Sequence, residues 1–352
     1  MFPTTHRPVL VAVLLGLVLT LLTTPAEASP AHQLPGSFQW SSTGPLIAPK
    51  PDASHDIVSV KDPSVVRYHN RWLVFMTTAD TSGDWSLAYT SFTDWSQAAA
   101  APQAHLETVS AIGPGYRAAP QVFYFAPRNE WYLVYQTGLP SFSTTTDPTN
   151  PQSWSAPRNF QDQMPKIIED NIGNGFWLDY WVVCDNRRCY LFSADDNGHL
   201  YRAETTVAAF PNGFHNTQIV LQDDNRFNLF EGDAIYRIAG TDTYLLMMEA
   251  IGSDGRRWYR SFTAHGLTGQ WRPLADTEAT PFARSNNVTF PGGAWTQDIS
   301  HGELIRTGND QTMTLDPCHI QFLYQGLDPS AGGEYSQLPW RLALATHTNP
   351  TC

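Results

Sequence analysis

The chain has 352 residues, 42% of them hydrophobic, 12% aromatic and only 15% charged, with a formal net charge of −12. That balance suits a folded protein with a large core, and with 21 Lys and Arg against 33 Asp and Glu it excludes a binder of nucleic acid or anionic membrane. The 12 Trp and 14 Tyr exceed ordinary core needs; packing between sheets takes most, and the surplus points to stacking on sugar rings.

The first stretch is a targeting segment. His6 and Arg7 precede an apolar run from Val9 to Leu22, and Ala26-Glu27-Ala28 matches a small-residue cleavage site, so residues 1–28 read as a secretory signal peptide. The run is too short to span a membrane. Residues 29–37 form a short polar leader. From Phe38 to Cys352 no linker, charge block or low-complexity tract interrupts the chain, which predicts a single domain over 38–352, secreted and monomeric. Export implies paired cysteines. Cys184 and Cys189 flank the turn Asp185-Asn186-Arg187-Arg188 and are paired with each other, which leaves Cys318 for Cys352.

Helical periodicity is scarce, with single turns expected near Trp95–Ala101 and Pro165–Asn171. Strands recur instead. Asp62-Pro63 precedes Val65 to Arg67, Trp72 to Phe75 and Leu87 to Phe92; Ala119-Pro120 precedes Gln121 to Phe125, Trp131 to Tyr135 and Phe142 to Thr144. Similar triplets start at Asp179, Glu231 and His301. The five starts are spaced by 57, 60, 52 and 70 residues. Such repetition predicts an all-β fold, a five-bladed β-propeller, in which radial repetition hides the sheet edges. Trp95, Trp154 and Trp271 follow third strands and are expected to pack between blades. A β-sandwich would not explain the period.

Asp and Pro are poor strand residues, so Asp62-Pro63 is placed at the first position of its strand or just outside it. Inner strands of a propeller surround the axis, so Asp62, Asp179, Glu231 and His301 should face one funnel. Three carboxyls in one cleft repel unless some are protonated or a cation sits among them. Two suffice to hydrolyse a glycosidic bond, one protonated and one ionised.

Longer signatures sharpen this. Val60-Lys61-Asp62-Pro63, Gly115-Tyr116-Arg117-Ala118-Ala119-Pro120, Asn171-Ile172-Gly173-Asn174-Gly175, Asn228-Leu229-Phe230-Glu231, Glu249-Ala250-Ile251-Gly252 and Asp298-Ile299-Ser300-His301-Gly302-Glu303 resemble the secreted α-L-arabinofuranosidases of glycoside hydrolase family 62, from about Phe38 to Cys352. The resemblance implies an inverting, exo-acting enzyme that removes arabinofuranosyl groups from arabinoxylan and arabino-xylooligosaccharides. It implies Asp62 as general base, Glu231 as general acid and Asp179 as the carboxyl that tunes and positions the acid. Lys61, Arg257 and Tyr335 match substrate-pocket residues, and His301 matches an axial histidine near which a calcium ion binds, mostly through water because calcium prefers oxygen ligands. No organic cofactor is implied.

Two departures from the family pattern stand out: a short segment from Thr77 to Trp85, and Gly232-Asp233 after the acid, where Asp233 is expected to add negative charge beside Glu231. An endo-arabinanase or a β-xylosidase shares the propeller and the carboxyl trio. A non-catalytic sugar-binding propeller would repeat its binding residue in every blade, whereas here the five starts are Asp, Ala, Asp, Glu and His. Asn287-Val288-Thr289 is a glycosylation sequon.

Overall fold

The computed structural model describes residues 1–4 and 34–352; the signal peptide expected at residues 1–28 falls, beyond its first four residues, outside them. Five sheets, built mainly of antiparallel strands, follow one another along the chain. Blade 1 holds Ile57–Tyr68, Arg71–Asp80, Trp85–Phe92 and Gln103–His105, and blade 2 holds Ala118–Phe125, Glu130–Gln136, Pro140–Thr145 and Arg158–Asn159. Blade 3 runs from Leu178–Cys184 through Arg188–Ala194 and His199–Thr206 to His215–Gln222, and blade 4 from Glu231–Ile238 through Thr243–Ile251 and Arg257–His265 to Arg272–Pro273. Each inner strand packs against the next, and that of blade 5, Ser300–Leu304, packs against that of blade 1. The ring is therefore closed, as a five-bladed propeller requires.

Closure uses both ends of the described chain. Blade 5 continues through Gln321–Gly326 and Arg341–His347, and its next strand is Trp40–Ser42, with Trp40 opposite His347. The repeat starting at Asp62 gave no sign of this, because a three-residue strand carries no periodicity. Asn287 sits beside this seam, buried, and its side-chain amide donates to the carbonyls of Phe38, Pro281 and Phe282 at 3.0–3.1 Å. The sequon is thus structural in the folded chain.

The blades pack through aromatics as expected from their spacing. Trp154 of blade 2 meets Phe75 of blade 1 edge-on at 5.5 Å, and Trp271 of blade 4 meets Phe192 of blade 3 at 6.4 Å. Trp95 of blade 1 packs on a cluster containing Leu323, Leu342 and Leu344 of blade 5. Burying one such ring contributes several kcal/mol, of order 3–5 by the cost of truncation to alanine. Both expected disulfides, Cys184–Cys189 and Cys318–Cys352, are present. Helical turns occur at Trp95–Gln97 and Lys166–Asn171, and further short ones include Leu106–Val109.

One end of the axis is plugged. Between the first two strands of blade 5, the chain sweeps across the far ends of the other inner strands. Asn309 donates to the Arg67 carbonyl, while the Tyr124, Cys184 and Arg237 amides donate to the carbonyls of Asn309, Gln311 and Met313 at 2.7–3.0 Å. Above this plug lies a buried ion pair, Arg306 Nε to Glu303 Oε1 at 2.6 Å. Arg306 also donates to the carbonyls of Val65 and Val122, and Glu303 accepts from Ser64 Oγ at 2.5 Å. Only the opposite end, where the inner strands begin, remains to open as a funnel.

Candidate active site

The residues at that open end are set by a defect repeated in every blade. Opposite the second strand, the inner strand gains one residue between Lys61 and Ser64, Ala118 and Gln121, Leu178 and Trp181, and Glu231 and Ala234, with a related shift between Ser300 and Gly302. A bulge of this kind bends the strand and re-aims one side chain. The second bulge residue is left-handed in four blades: Asp62 at φ 47°, Ala119 at 50°, Asp179 at 55° and Gly232 at 65°. Three of these carry a Cβ, so the conformation costs about 1–3 kcal/mol apiece.

Two expectations are corrected here. Asp62-Pro63 does not open its strand; it lies inside Ile57–Tyr68, and the bulge is what accommodates a proline without an N–H. Glu231 does not occupy the position equivalent to Asp62 and Asp179. Gly232 does, and Glu231 is opposite Glu249 as Lys61 is opposite Thr77. Periodicity alone misplaced it by one residue, because Glu231-Gly232-Asp233 offers two carboxyls around a glycine, and only the left-handed φ marks the glycine as the bulge.

Each bulge leaves one amide to satisfy, and four blades use the same solution. A side chain on the second strand of the preceding blade accepts it. The Ala119 N–H donates to Thr77 Oγ1 at 2.8 Å, Asp179 N–H to Gln136 Oε1 at 3.0 Å, His301 N–H to Glu249 Oε2 at 2.9 Å and Asp62 N–H to Gln325 Oε1 at 2.7 Å. Blade 3 breaks the pattern. Its corresponding residue is Ala194, opposite Leu178, which has no acceptor. The Gly232 N–H donates instead to Asp179 Oδ2 at 2.7 Å. The missing acceptor is what turns the Asp179 carboxyl towards the Glu231 segment.

Asp62, Asp179, Glu231, His301, Lys61, Arg257 and Tyr335 all line one cavity of roughly 1110 Å³. The structure thus brings together every residue singled out in the sequence. His301 Nδ1 stands between two carboxyls, 3.5 Å from Asp62 Oδ1 and 3.5 Å from Asp179 Oδ2. Arg257 Nη1 pairs with Glu231 and lies 3.0 Å from Glu249 Oε1. The Tyr335 hydroxyl accepts from Lys61 Nζ at 3.2 Å and from Arg257 Nη2 at 3.3 Å. Lys61 also sits 4.0 Å from the Trp85 ring centre; such cation–π contacts hold an ammonium against an apolar wall.

The electrostatics separate the carboxyls. Burial opposes ionisation of Asp62, but Lys61, His301, a Thr77 hydrogen bond and Arg257 outweigh it and hold the carboxyl below its usual range. Burial, with Glu231 and Asp62 nearby, pushes Asp179 up to about 7 despite His301. Burial works against charge on His301, yet Asp179, Asp62 and Glu249 overcome it and raise its pKa. Lys61 is also raised, since Tyr335, Asp62 and Glu231 outweigh its burial. Asp62 therefore favours the charged form while Asp179 titrates near neutrality.

Two further acids, Asp196 and Glu249, were not foreseen as site residues. Asp196, left-handed at φ 55°, lines the cavity and hydrogen-bonds Glu231; burial and Glu231 push it up to about 9. The available signal was its position in Asp195-Asp196 at the end of a second strand. Glu249 is fully buried and accepts from Arg257, from Ser300 Oγ at 2.8 Å and from the His301 amide. Its signal was a lone charge in the apolar run Leu245–Ala250. Asp233 does not add charge beside Glu231 as expected. Both its oxygens are buried without a hydrogen-bond partner, burial raises its pKa well above the usual range, and the neighbour it feels is Asp179. It lies behind the site, where burial disfavours its charged form.

Five carboxyls, those of Asp62, Asp179, Asp196, Glu231 and Glu249, thus surround two permanent cations, Lys61 and Arg257. Protons relieve this excess at Asp179 and Asp196, and a bound cation would relieve it equally. His301 is the one ring nitrogen donor there, and direct ligation by side chains would need several more oxygens than face it. A calcium ion there would have to be held mainly through water, with His301 as a protein anchor.

Comparison with known proteins agrees with this geometry. The model of glycosyl hydrolase family 62 matches residues 39–346. The chain belongs to that family. It is 44% identical over 315 residues to α-L-arabinofuranosidase C of Cellvibrio japonicus, covering 89% of this chain and 47% of that protein; the chain spans about half the length of that relative. The catalytic domain of the Coprinopsis cinerea family 62 α-L-arabinofuranosidase superposes with a TM-score of 0.89 at 58% identity, covering 91% of this chain and 100% of that one. The Podospora anserina α-L-arabinofuranosidase, solved in complex with cellotriose, gives 0.88 at 52% identity, covering 91% and 99%.

Proposed function

We propose that this family 62 member is an inverting, exo-acting α-L-arabinofuranosidase that removes arabinofuranosyl side groups from arabinoxylan and arabino-xylooligosaccharides. The observation that carries this reading is the division of labour among the carboxyls: Asp62 held ionised on blade 1, and Glu231 on blade 4 among proton-holding neighbours. Blades 1 and 4 are not adjacent, which suits the gap of roughly 6.5–9.5 Å that lets a water enter between acid and base. Asp62 takes a proton from that water as its oxygen attacks the anomeric carbon. Glu231 gives a proton to the departing xylose oxygen, drawn from the group it forms with Asp179 and Asp196. Asp179, fixed by the Gly232 amide, keeps Glu231 in place; Lys61, Arg257 and Tyr335 hold the sugar ring. A calcium ion anchored at His301 would supply fixed positive charge beneath these groups.

Glu231→Gln should lower arabinose release from arabinoxylan at least about a hundredfold, and near-normal release would sink the assignment. Proton NMR should show β-L-arabinofuranose as the first product; an α product would rule out inversion. Arabinoxylan, linear arabinan and xylobiose, tested side by side, separate this activity from an endo-arabinanase or a β-xylosidase. We further infer a single catalytic domain over 38–352, secreted after cleavage near Ala28 and monomeric, to be checked by amino-terminal sequencing of the exported protein and light scattering. Calcium is checked by elemental analysis together with the change in unfolding temperature on chelation.

A further inference from the structure

Outside this site, on the outer side of blade 1, lies a cluster that the proposed chemistry does not use. Asp52, His55 and His105 present ligand atoms that all lie within 4.8 Å of one another. Asp52 is in the loop leading into the inner strand, and His105 ends the outermost strand, next to the helical turn Leu106–Val109. The two imidazole rings stack with centres 4.0 Å apart and planes 21° apart.

Each ring is already oriented from behind. His55 Nδ1 is 2.8 and 2.9 Å from the two Asp52 oxygens, so it carries the proton and donates to the carboxylate. The loop is fixed in turn, as Asp52 Oδ1 also accepts from the Ser54 and His55 amides at 2.7 and 2.9 Å. The His105 ring hydrogen-bonds the Lys50 backbone. A carboxylate or backbone carbonyl behind an imidazole is the usual outer support of a metal-binding histidine, because it sets the tautomer and frees the other nitrogen.

The freed nitrogen is the second, independent observation. The His55 side chain is only 9% exposed, and its Nε2 is buried with no hydrogen-bond partner. A buried unpaired ring nitrogen is costly, so its survival here needs a reason. Beyond the Asp52–His55 bond, carboxylate oxygens stand near the two Nε2 atoms: Glu107 Oε1 is 3.6 Å from His55 Nε2, and Asp52 Oδ2 is 3.9 Å from His105 Nε2. Those gaps are too long for hydrogen bonds. They are close to the ~3.3 Å that separates donors around a tetrahedral ion with bonds of 2.0–2.1 Å.

We propose that His55 and His105, with a carboxylate from Asp52 or Glu107, form a second metal site that takes a divalent transition metal of the zinc type. Two imidazoles and a carboxylate select such an ion over calcium, which needs six or more oxygens. Occupancy would tie the loop before Ile57 to the outer edge of blade 1. Ile57 and Glu107 both line the cavity, so the ion would stiffen one wall of the cleft. The proposal does not depend on which sugar that cleft accepts.

The test uses the whole chain, stripped with a chelator and dialysed. Cobalt titration should develop the visible bands of a tetrahedral nitrogen–oxygen site, and zinc should bleach them at one ion per chain with a dissociation constant below about 10 μM, some 7 kcal/mol of binding. His55→Gln and His105→Gln should each weaken zinc about 10–100-fold, with circular dichroism and unfolding temperature confirming that the variants fold. Should either variant fail to fold, Asp52→Asn serves as the third probe, expected to weaken zinc at least tenfold through loss of His55 orientation. No cobalt bands and no zinc binding at 100 μM, or equal binding by the folded variants, would overturn the site. Calcium displacing zinc at equal concentration would overturn its assignment to a transition metal.

Discussion

Glu249→Gln is the perturbation that most directly tests how the site is held. Glu249 is fully buried, and three donors share its two oxygens: Arg257 Nη1 at 3.0 Å and Ser300 Oγ at 2.8 Å on Oε1, and the His301 amide at 2.9 Å on Oε2. A glutamine of the same shape has one acceptor oxygen. If that oxygen keeps Arg257 and Ser300, its amide nitrogen meets the His301 N–H, donor against donor, and a buried N–H is orphaned at about 1–3 kcal/mol. Arg257 also exchanges a charged partner for a neutral one, about 1 kcal/mol more. Complete loss of a buried ion pair would cost about 3–5 kcal/mol, but Arg257 retains Glu231, so the expected loss is about 3 kcal/mol by urea unfolding. Activity should fall for a separate reason. With Glu249 neutral, Arg257 is held by Glu231 alone and its guanidinium is less firmly placed in the site, so kcat should fall about tenfold, equivalent to about 1.4 kcal/mol, while KM changes little. A loss under about 1 kcal/mol with unchanged kcat would refute the argument.

Arg306→Met removes one half of the axial ion pair beneath the funnel and should destabilise the fold by about 3–5 kcal/mol, whereas replacing Arg306 and Glu303 together by apolar residues should cost far less; denaturant titration of both variants decides. Stability should fall as pH rises from 5 to 9. Asp179 and Asp196, raised to about 7 and about 9, keep protons in the folded state that the unfolded chain releases near 4, so the unfolded state binds fewer protons and stability drops by about 1.4 kcal/mol per pH unit for each proton kept. Asp196→Asn should flatten the part of that slope above pH 7, and an unchanged slope would contradict it. Cys318→Ser with Cys352→Ser opens a link between residues 34 apart in sequence and should lower stability by up to about 4 kcal/mol on the chain-entropy estimate, read as a lower unfolding temperature under non-reducing conditions.

What the sequence made legible follows from where its signals are local. The blades could be read because triplets of strands recur from Asp62, Ala119, Asp179, Glu231 and His301, and because Trp95, Trp154 and Trp271 return at matching places. The cysteine pair around the turn at Asp185 could be read from spacing. The closing strand Trp40–Ser42 could not, since three residues pairing with His347 across most of the chain leave no local trace. The one-residue error at Glu231 is of the same kind. Asp62, Asp179 and Glu231 look alike as letters before a strand, and what separates them is a backbone angle and a partner on another blade. Asp196 and Glu249 were missed because their roles depend on Arg257 and Glu231, brought near them only by the ring.

The bulge amides show why an uneven site can arise in an even scaffold. A propeller of identical blades would cap each left-handed amide in the same way, by a side chain from the preceding blade, and all five positions would be equally quiet. Thr77, Gln136, Glu249 and Gln325 follow that rule; Ala194 does not. An alanine there removes one acceptor, and the Gly232 amide then recruits the Asp179 carboxyl. Placing glycine in the fourth left-handed position also moves the acidic side chain one residue back, onto Glu231, where it faces Arg257. Two small residues, Ala194 and Gly232, thus bring two carboxyls together on one side of the funnel, while Asp62 keeps the regular position beside Lys61 and stays charged. The asymmetry that acid–base chemistry requires is produced by what these two positions lack.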